Sequence, residues 1–188
     1  LAITSNFTDT SNITWTYPVD VDGSGNQATA VLVLSGTPAR LLAATPTKIL
    51  HSDNGGSSFD QATLPAGSDT ISSFVELEDG RVLAANKNGV AGGVLVSSDR
   101  GESWSSLSEG AFNAPCNTLL VVGTSLFAGV GAEMDSDSAK RGIYKYDGSN
   151  WTQLAGGIEG QLVNELVVAG NRIFAATLES VGVAQARG

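Results

Sequence analysis

One hexapeptide recurs four times along this chain, and its period decides what the chain can fold into. The copies are Arg40-Leu-Leu-Ala-Ala-Thr45, Arg81-Val-Leu-Ala-Ala-Asn86, Ser125-Leu-Phe-Ala-Gly-Val130 and Arg172-Ile-Phe-Ala-Ala-Thr177. Arg40 to Arg81 is 41 residues, Arg81 to Ser125 is 44, and Ser125 to Arg172 is 47. Shortly before each copy stands a Gly (Gly36, Gly80, Gly123, Gly170), and before each Gly runs an apolar stretch: Ala30–Leu34, Ser73–Leu77, Thr118–Val122 and Val163–Val168. Two apolar runs joined by a Gly-bearing turn make a β-hairpin with both strands well buried. The small Ala-Ala or Ala-Gly pair in each second strand lets neighbouring sheets approach closely.

A second element shares the period. Its best copy is Ser97-Ser98-Asp99-Arg100-Gly101-Glu102-Ser103-Trp104. Ser52-Asp53-Asn54-Gly55-Gly56-Ser57-Ser58-Phe59 keeps the spacing with Asn for Asp and Phe for Trp. Tyr146-Asp147-Gly148-Ser149-Asn150-Trp151 is shortened, and Thr8–Trp15 retains only its Thr-Trp ending. The closing aromatics Trp15, Phe59, Trp104 and Trp151 are spaced 44, 45 and 47 residues apart. A carboxylate or amide here accepts hydrogen bonds from its own turn, Gly takes the positive-φ position, and the aromatic folds back over the hairpin. That gives structural roles to Ser52, Asn54, Gly56, Phe59, Ser97, Asp99, Gly101, Trp104, Asp147 and Trp151, and Asp99 reads poorly as a catalytic acid.

This element resembles the Asp-box, or BNR, repeat, whose pattern is Ser-x-Asp-x-Gly-x-Thr-Trp. Two buried strands followed by two strands joined at such a turn make a four-stranded unit, the blade of a β-propeller. The expected fold is all-β, a propeller of about four antiparallel blades forming one domain over residues 1–188. The blades fall near 27–63, 69–108, 114–155 and 160–188, the last completed by residues 5–18. Those complementary ends would close the ring and remove exposed strand edges. Any four periods cut from a longer propeller would show the same ends, so a longer parent remains open.

Function is written less clearly. The formal net charge is −9, and the ten Lys and Arg are scattered, Lys140-Arg141 being the one adjacent pair, without the basic stripe nucleic acid requires. The same acidity disfavours an anionic membrane surface, and no apolar stretch reaches the ~20 residues of a membrane span. Cys116, the only cysteine, precedes an apolar run and reads as a buried, inert thiol. Asp20–Asn26 begins like a Ca²⁺ loop, but its twelfth position is Val31 where a Glu would be required, and a blade-connecting turn is expected. His51, the only histidine, lacks partners for a zinc site. No cofactor is implied.

Asp boxes also occur in sialidases, where the resemblance would imply an arginine triad, a Tyr nucleophile and an acidic partner. Here Arg40, Arg81 and Arg172 repeat one strand-start position, the Arg-Ile-Pro signature is absent, and Tyr17, Tyr144 and Tyr146 fall in or near third or fourth strands. The resemblance to non-catalytic Asp-box propellers implies a binding or assembly role, and the low Lys content with abundant Ser, Thr and Gly leans toward a secreted or surface bacterial protein. Asn6, Asn12 and Asn150 head sequons that matter only in a eukaryotic secretory setting.

Propeller ligands usually sit on the end opposite the Asp-box turns. The connections there differ: Thr45-Pro46-Thr47 is minimal, whereas Gly131–Arg141 is a long polar insertion. Its Glu133, Asp135, Asp137, Lys140 and Arg141 are the expected contacts for a glycan or protein partner. The alternatives are a structural or assembly domain of a larger surface protein or filament, and a remnant of a sialidase-like glycosidase.

Overall fold

The computed structural model describes residues 27–87, 93–107, 114–131, 138–178 and 181–185. Four antiparallel sheets follow one another along the chain. The first holds β1 (Ala30–Leu34), β2 (Arg40–Ala44), β3 (Ile49–Ser52) and β4 (Asp60–Gln61). The second holds β5 (Ile71–Glu76), β6 (Val82–Asn86), β7 (Val94–Ser97) and β8 (Ser105–Ser106). The third holds β9 (Cys116–Val122), β10 (Ser125–Val130), β11 (Gly142–Tyr146) and β12 (Trp151–Gln153). The fourth pairs β13 (Val163–Ala169) with β14 (Arg172–Thr177), and β14 with β15 (Val181–Gln185). Each sheet is a meander, strand pairing with the next strand in sequence.

The chain is therefore an all-β propeller of four sheets. Strand β1 packs on β5, β5 on β9 and β9 on β13. Among the described residues no packing of that kind joins β13 to β1. The expected fourth strand of the last blade, residues 5–18, lies outside the described residues.

Strand alternation shares each sheet between two interfaces. Leu32, Leu34, Leu42, Ala44 and Ile49 face Phe74, Val82, Ala84 and Leu95 of the second sheet. The second sheet turns Val75, Leu83, Ala85 and Val94 toward Leu119, Leu126, Ala128 and Tyr144 of the third. Phe127 and Ile143 then meet Val163, Leu166, Ile173 and Ala175 of the fourth. The repeated small pair does what its size suggests: Ala43, Ala44, Ala84 and Ala85 are wholly buried. At Gly129 the approach is close as well, since a Cβ there would lie 2.7 Å from Val163 Cγ1 of the fourth sheet and from Thr118 Cγ2 of its own.

A polar stitch, unforeseen in the sequence, accompanies each apolar interface. Thr29 Oγ1 donates to Ile71 O at 2.6 Å, Ser72 Oγ to Cys116 O at 3.3 Å, and Asn117 Nδ2 to Val163 O at 2.9 Å. Each joins the start of one inner strand to the start of the next and gives a carbonyl there a side-chain donor.

The two outer faces of the array differ from its interior. Val31 and Val33, on the face of β1 turned away from the second sheet, are 51% and 63% exposed, and Val167 on β13 is 52% exposed. Cys116 is fully buried, and burial pushes its thiol pKa up to about 12, which keeps it protonated and inert.

Candidate functional site

The recurring turns are closed hydrogen-bond units at one end of the array. In Ser97–Trp104, Ser97 Oγ donates to Asp99 Oδ1 at 2.7 Å and accepts the Gly101 N–H at 2.8 Å. The Ser103 N–H donates to Asp99 Oδ1 at 2.9 Å, and Ser103 Oγ donates to Asp99 Oδ2. Burial opposes ionisation of Asp99, but the Ser103 and Ser97 hydrogen bonds outweigh it and hold the carboxyl at about 2. Gly101 sits at φ +91° against Leu42, a conformation that a Cβ would strain. Trp104, 6% exposed, donates its indole N–H to Gly101 O at 3.1 Å and packs 5.9 Å from the Phe74 ring.

Ser52–Phe59 repeats the network. Gly56 N–H donates to Ser52 Oγ at 2.9 Å, Ser58 N–H to Asn54 Oδ1 at 3.0 Å, and Asn54 Nδ2 to Ser58 Oγ at 2.8 Å. Phe59 packs on Ala43 and Leu50. In the third sheet Asp147 Oδ1 accepts the Ser149 and Asn150 N–H groups at 2.9 and 2.7 Å, and hydrogen bonds from those two backbone groups lower its pKa. Trp151 leans on Tyr146 at 4.9 Å and donates to Leu107 O at 3.3 Å.

Between these turns lie clefts, and the first two are built differently. In the first, Arg40 reaches Asp53 of its own sheet at 2.6 Å and Glu102 of the next at 3.1 Å. Arg100, from the second sheet's turn, lays its guanidinium over the β1–β2 hairpin and donates to Ser35 O and Pro38 O at 3.3 and 3.1 Å. Ser35 in turn binds Glu76 through its N–H and its Oγ. The chain's own side chains close this cleft.

The second cleft, between the second and third sheets, is open. Its volume is about 520 Å³, lined by Leu77, Val121, Leu126 and Tyr146 below and by Glu78, Asp79, Arg81 and Asp147 around the mouth. The sequence explains the difference. Ser98 stands where the first sheet has Asp53, and Ser149 precedes Trp151 by two residues as Glu102 precedes Trp104. Arg81 therefore lacks both carboxylates available to Arg40 and pairs at 2.8 Å with Asp79 of its own hairpin. Counted back from Trp151 in the same way, Asp147 stands where Arg100 stands, so the shortened third turn offers a carboxylate in place of a guanidinium. Lys145 lines this cleft, but its ammonium lies 5.9 Å from the Phe127 centroid, on the side facing the fourth sheet.

At the opposite end stands the foot of the long insertion. Glu133, Asp135 and Asp137 lie outside the described residues. Lys140 ends a 3-10 turn, Ser138–Lys140, and Arg141 leads into β11. Gln153 Nε2 donates to Ala139 O at 3.0 Å and Arg141 O at 2.8 Å, while the Tyr144 hydroxyl donates to Lys140 O at 3.0 Å. On the other side of the neck, Asn117 Nδ2 donates to Gly131 O at 2.7 Å. His51 lies on β3 opposite Asp60, and no group of three or more metal-ligating side chains occurs among the described residues.

No protein-family model matches the chain, and no curated protein matches it. Solved structures match along most of it. YCF48 bound to D1 peptide superposes with a TM-score of 0.61 at 15% identity, covering 92% of this chain and 56% of that one. The extracellular domain of a putative hybrid two-component system of B. thetaiotaomicron gives a TM-score of 0.65 at 12% identity, covering 90% of this chain and 22% of that one. An ancestral GH74 enzyme gives 0.60 at 20% identity, with 82% and 24% covered. At these identities the likeness establishes the propeller fold, and the chain spans little more than half of YCF48 and under a quarter of the other two. No helix among the described residues is long and apolar enough to cross a membrane.

Proposed function

We propose that this chain is a non-catalytic binding module, part of an Asp-box propeller on a secreted or cell-surface protein, and that it recognises a glycan or a protein through the insertion 131–141. The observation that carries this reading is the foot of that insertion. Gln153, Tyr144 and Asn117 hold the backbone at Gly131 and at 139–141, the two ends of the polar insertion, and a held base is what a binding segment depends on. The propellers that superpose on it, one with a bound peptide and one an extracellular domain, support the same reading.

The test is an array of glycans and peptides probed with the wild type, a Lys140→Ala variant and a combined Glu133→Ala, Asp135→Ala, Asp137→Ala variant. Binding that these changes abolish supports the loop; binding unchanged in all of them overturns it. Hydrolysis of a fluorogenic sialoside or glucoside above background would overturn the non-catalytic part.

A second reading, a domain within a larger surface assembly, is favoured by the exposed Val31, Val33 and Val167 on the outer faces of the first and last sheets. Its measurement is the mass in solution: a monomer at high concentration, unaltered by Val33→Lys, removes that support.

A further inference from the structure

The two clefts are successive versions of one interface, and the first shows what such a cleft is shaped to hold. Leu34 pairs with Arg40 across the first hairpin, as Leu77 pairs with Arg81 across the second. Over the first hairpin lies a guanidinium: Arg100 binds two turn carbonyls, and a Cβ on Gly36 would come within 3.3 Å of its Nη1. Over the second hairpin the corresponding space is the 520 Å³ cleft. No guanidinium from the third sheet's turn fills it, because that turn is shorter and carries Asp147 four residues before its Trp, where the second turn carries Arg100.

We propose that the cleft between the second and third sheets is a seat for an arginine side chain presented by a protein partner, its guanidinium taking the place that Arg100 takes in the first cleft. The site lies at the end opposite the 131–141 insertion and goes beyond the function proposed above.

The chemistry of the walls fits a guanidinium better than an anion. Arg81 is neutralised by Asp79 at 2.8 Å, and the Lys145 ammonium faces the Phe127 ring. Glu78 and Asp147 remain at the mouth and leave it anionic. Hydrogen bonds from Arg81 to Asp79 and from the Asn150 and Ser149 backbone to Asp147 lower both carboxyl pKa values, so both stay ionised at neutral pH. Beneath the mouth, Leu77 and Val121 offer apolar surface to an arginine stem, and the Tyr146 ring lines the same cleft within reach of a guanidinium.

The experiment titrates isotope-labelled protein with acetyl-Gly-Arg-Gly-amide and follows backbone amide resonances. The citrulline analogue keeps the arginine shape without its charge, and acetyl-Gly-Asp-Gly-amide carries the opposite charge. The expected result is saturable shifts confined to 77–81, 121–126 and 146–148 with the arginine peptide, about tenfold weaker binding for citrulline, and similar weakening in Glu78→Gln. Equal binding of citrulline, preference for the aspartate peptide, shifts elsewhere, or none at all would each overturn the proposal. Because the probe reads 77–81 and 146–148 directly, its failure leaves the insertion-loop result untouched, and the converse holds.

Discussion

Asn54 and Asp99 occupy the same place in the same turn of successive sheets. Each accepts the backbone N–H four residues on, from Ser58 at 3.0 Å and from Ser103 at 2.9 Å, and each binds the preceding Ser hydroxyl. The chain thus contains its own control for the charge. Asp99→Asn should fold normally and lose about 1–2 kcal/mol at neutral pH, because the amide keeps the backbone and Ser97 contacts only in neutral form and must donate to the Ser103 hydroxyl, as Asn54 Nδ2 does to Ser58 Oγ, where the carboxylate accepts from it.

Acid should separate the two forms. The Asp99 carboxyl is held at about 2 in the folded chain, against about 3.9 when unfolded. A depressed folded pKa contributes stability that is complete above the unfolded value and is lost as pH falls through the folded one. Wild-type Tm should therefore fall more steeply than that of Asp99→Asn between about pH 4 and pH 2. Parallel curves in a pH series of thermal melts would refute this.

Trp104 closes the interface between the first and second sheets from the side. It sits at 6% exposure among Leu34, Leu42, Ala62 and Phe74, with its N–H satisfied by Gly101 O. Trp104→Ala should cost about 3–5 kcal/mol, the usual range for a buried large aromatic. Trp151 is only half-buried, against Tyr146 and Leu107, so Trp151→Ala should cost clearly less. Chemical denaturation of both variants gives the order, and a reversed order would contradict the packing described.

Arg40 is the polar counterpart of that clamp, with its side chain 11% exposed while Glu102 is 58% exposed. An ion pair with one partner in water is screened and contributes little. A double-mutant cycle of Arg40→Ala with Glu102→Ala should give a coupling below about 1 kcal/mol that shrinks in high salt. Arg40→Ala alone should cost more than this coupling, since its stem and its bond to Asp53 go too. A coupling that is large and independent of salt would show the pair to be shielded from solvent.

The propeller was legible because its signals repeat. The hairpins were visible as apolar runs around a Gly, and the Ser-Asp-Gly-Trp turn as residues whose side chains satisfy their own backbone. The stitches at Thr29, Ser72 and Asn117 were not, because a hydroxyl or amide beside a strand looks like ordinary turn chemistry until the neighbouring carbonyl is placed. The open cleft was hidden for a related reason. The shortened Tyr146–Trp151 copy was visible, yet that it leaves a space depends on Arg100 filling the equivalent one, a contact between separate sheets. Along the chain it is the opposite end, with the 131–141 insertion, that stands out by length and charge.

Gly129 offers the sharpest test of how closely the sheets must approach. A glycine inside a strand is ordinarily a weak point, and replacing it with Ala should stabilise by about 0.5–1 kcal/mol where space allows. Here the added Cβ would meet Val163 Cγ1 and Thr118 Cγ2, both at 2.7 Å. Gly129→Ala should therefore destabilise, by about 1–3 kcal/mol, as overpacked cores do. The sign alone distinguishes close approach from propensity. Val163→Ala removes one of the two opposing methyls, so in that background the cost of Gly129→Ala should fall by about half or more. Strictly additive losses in the double variant would mean that Val163 does not set the spacing between the third and fourth sheets.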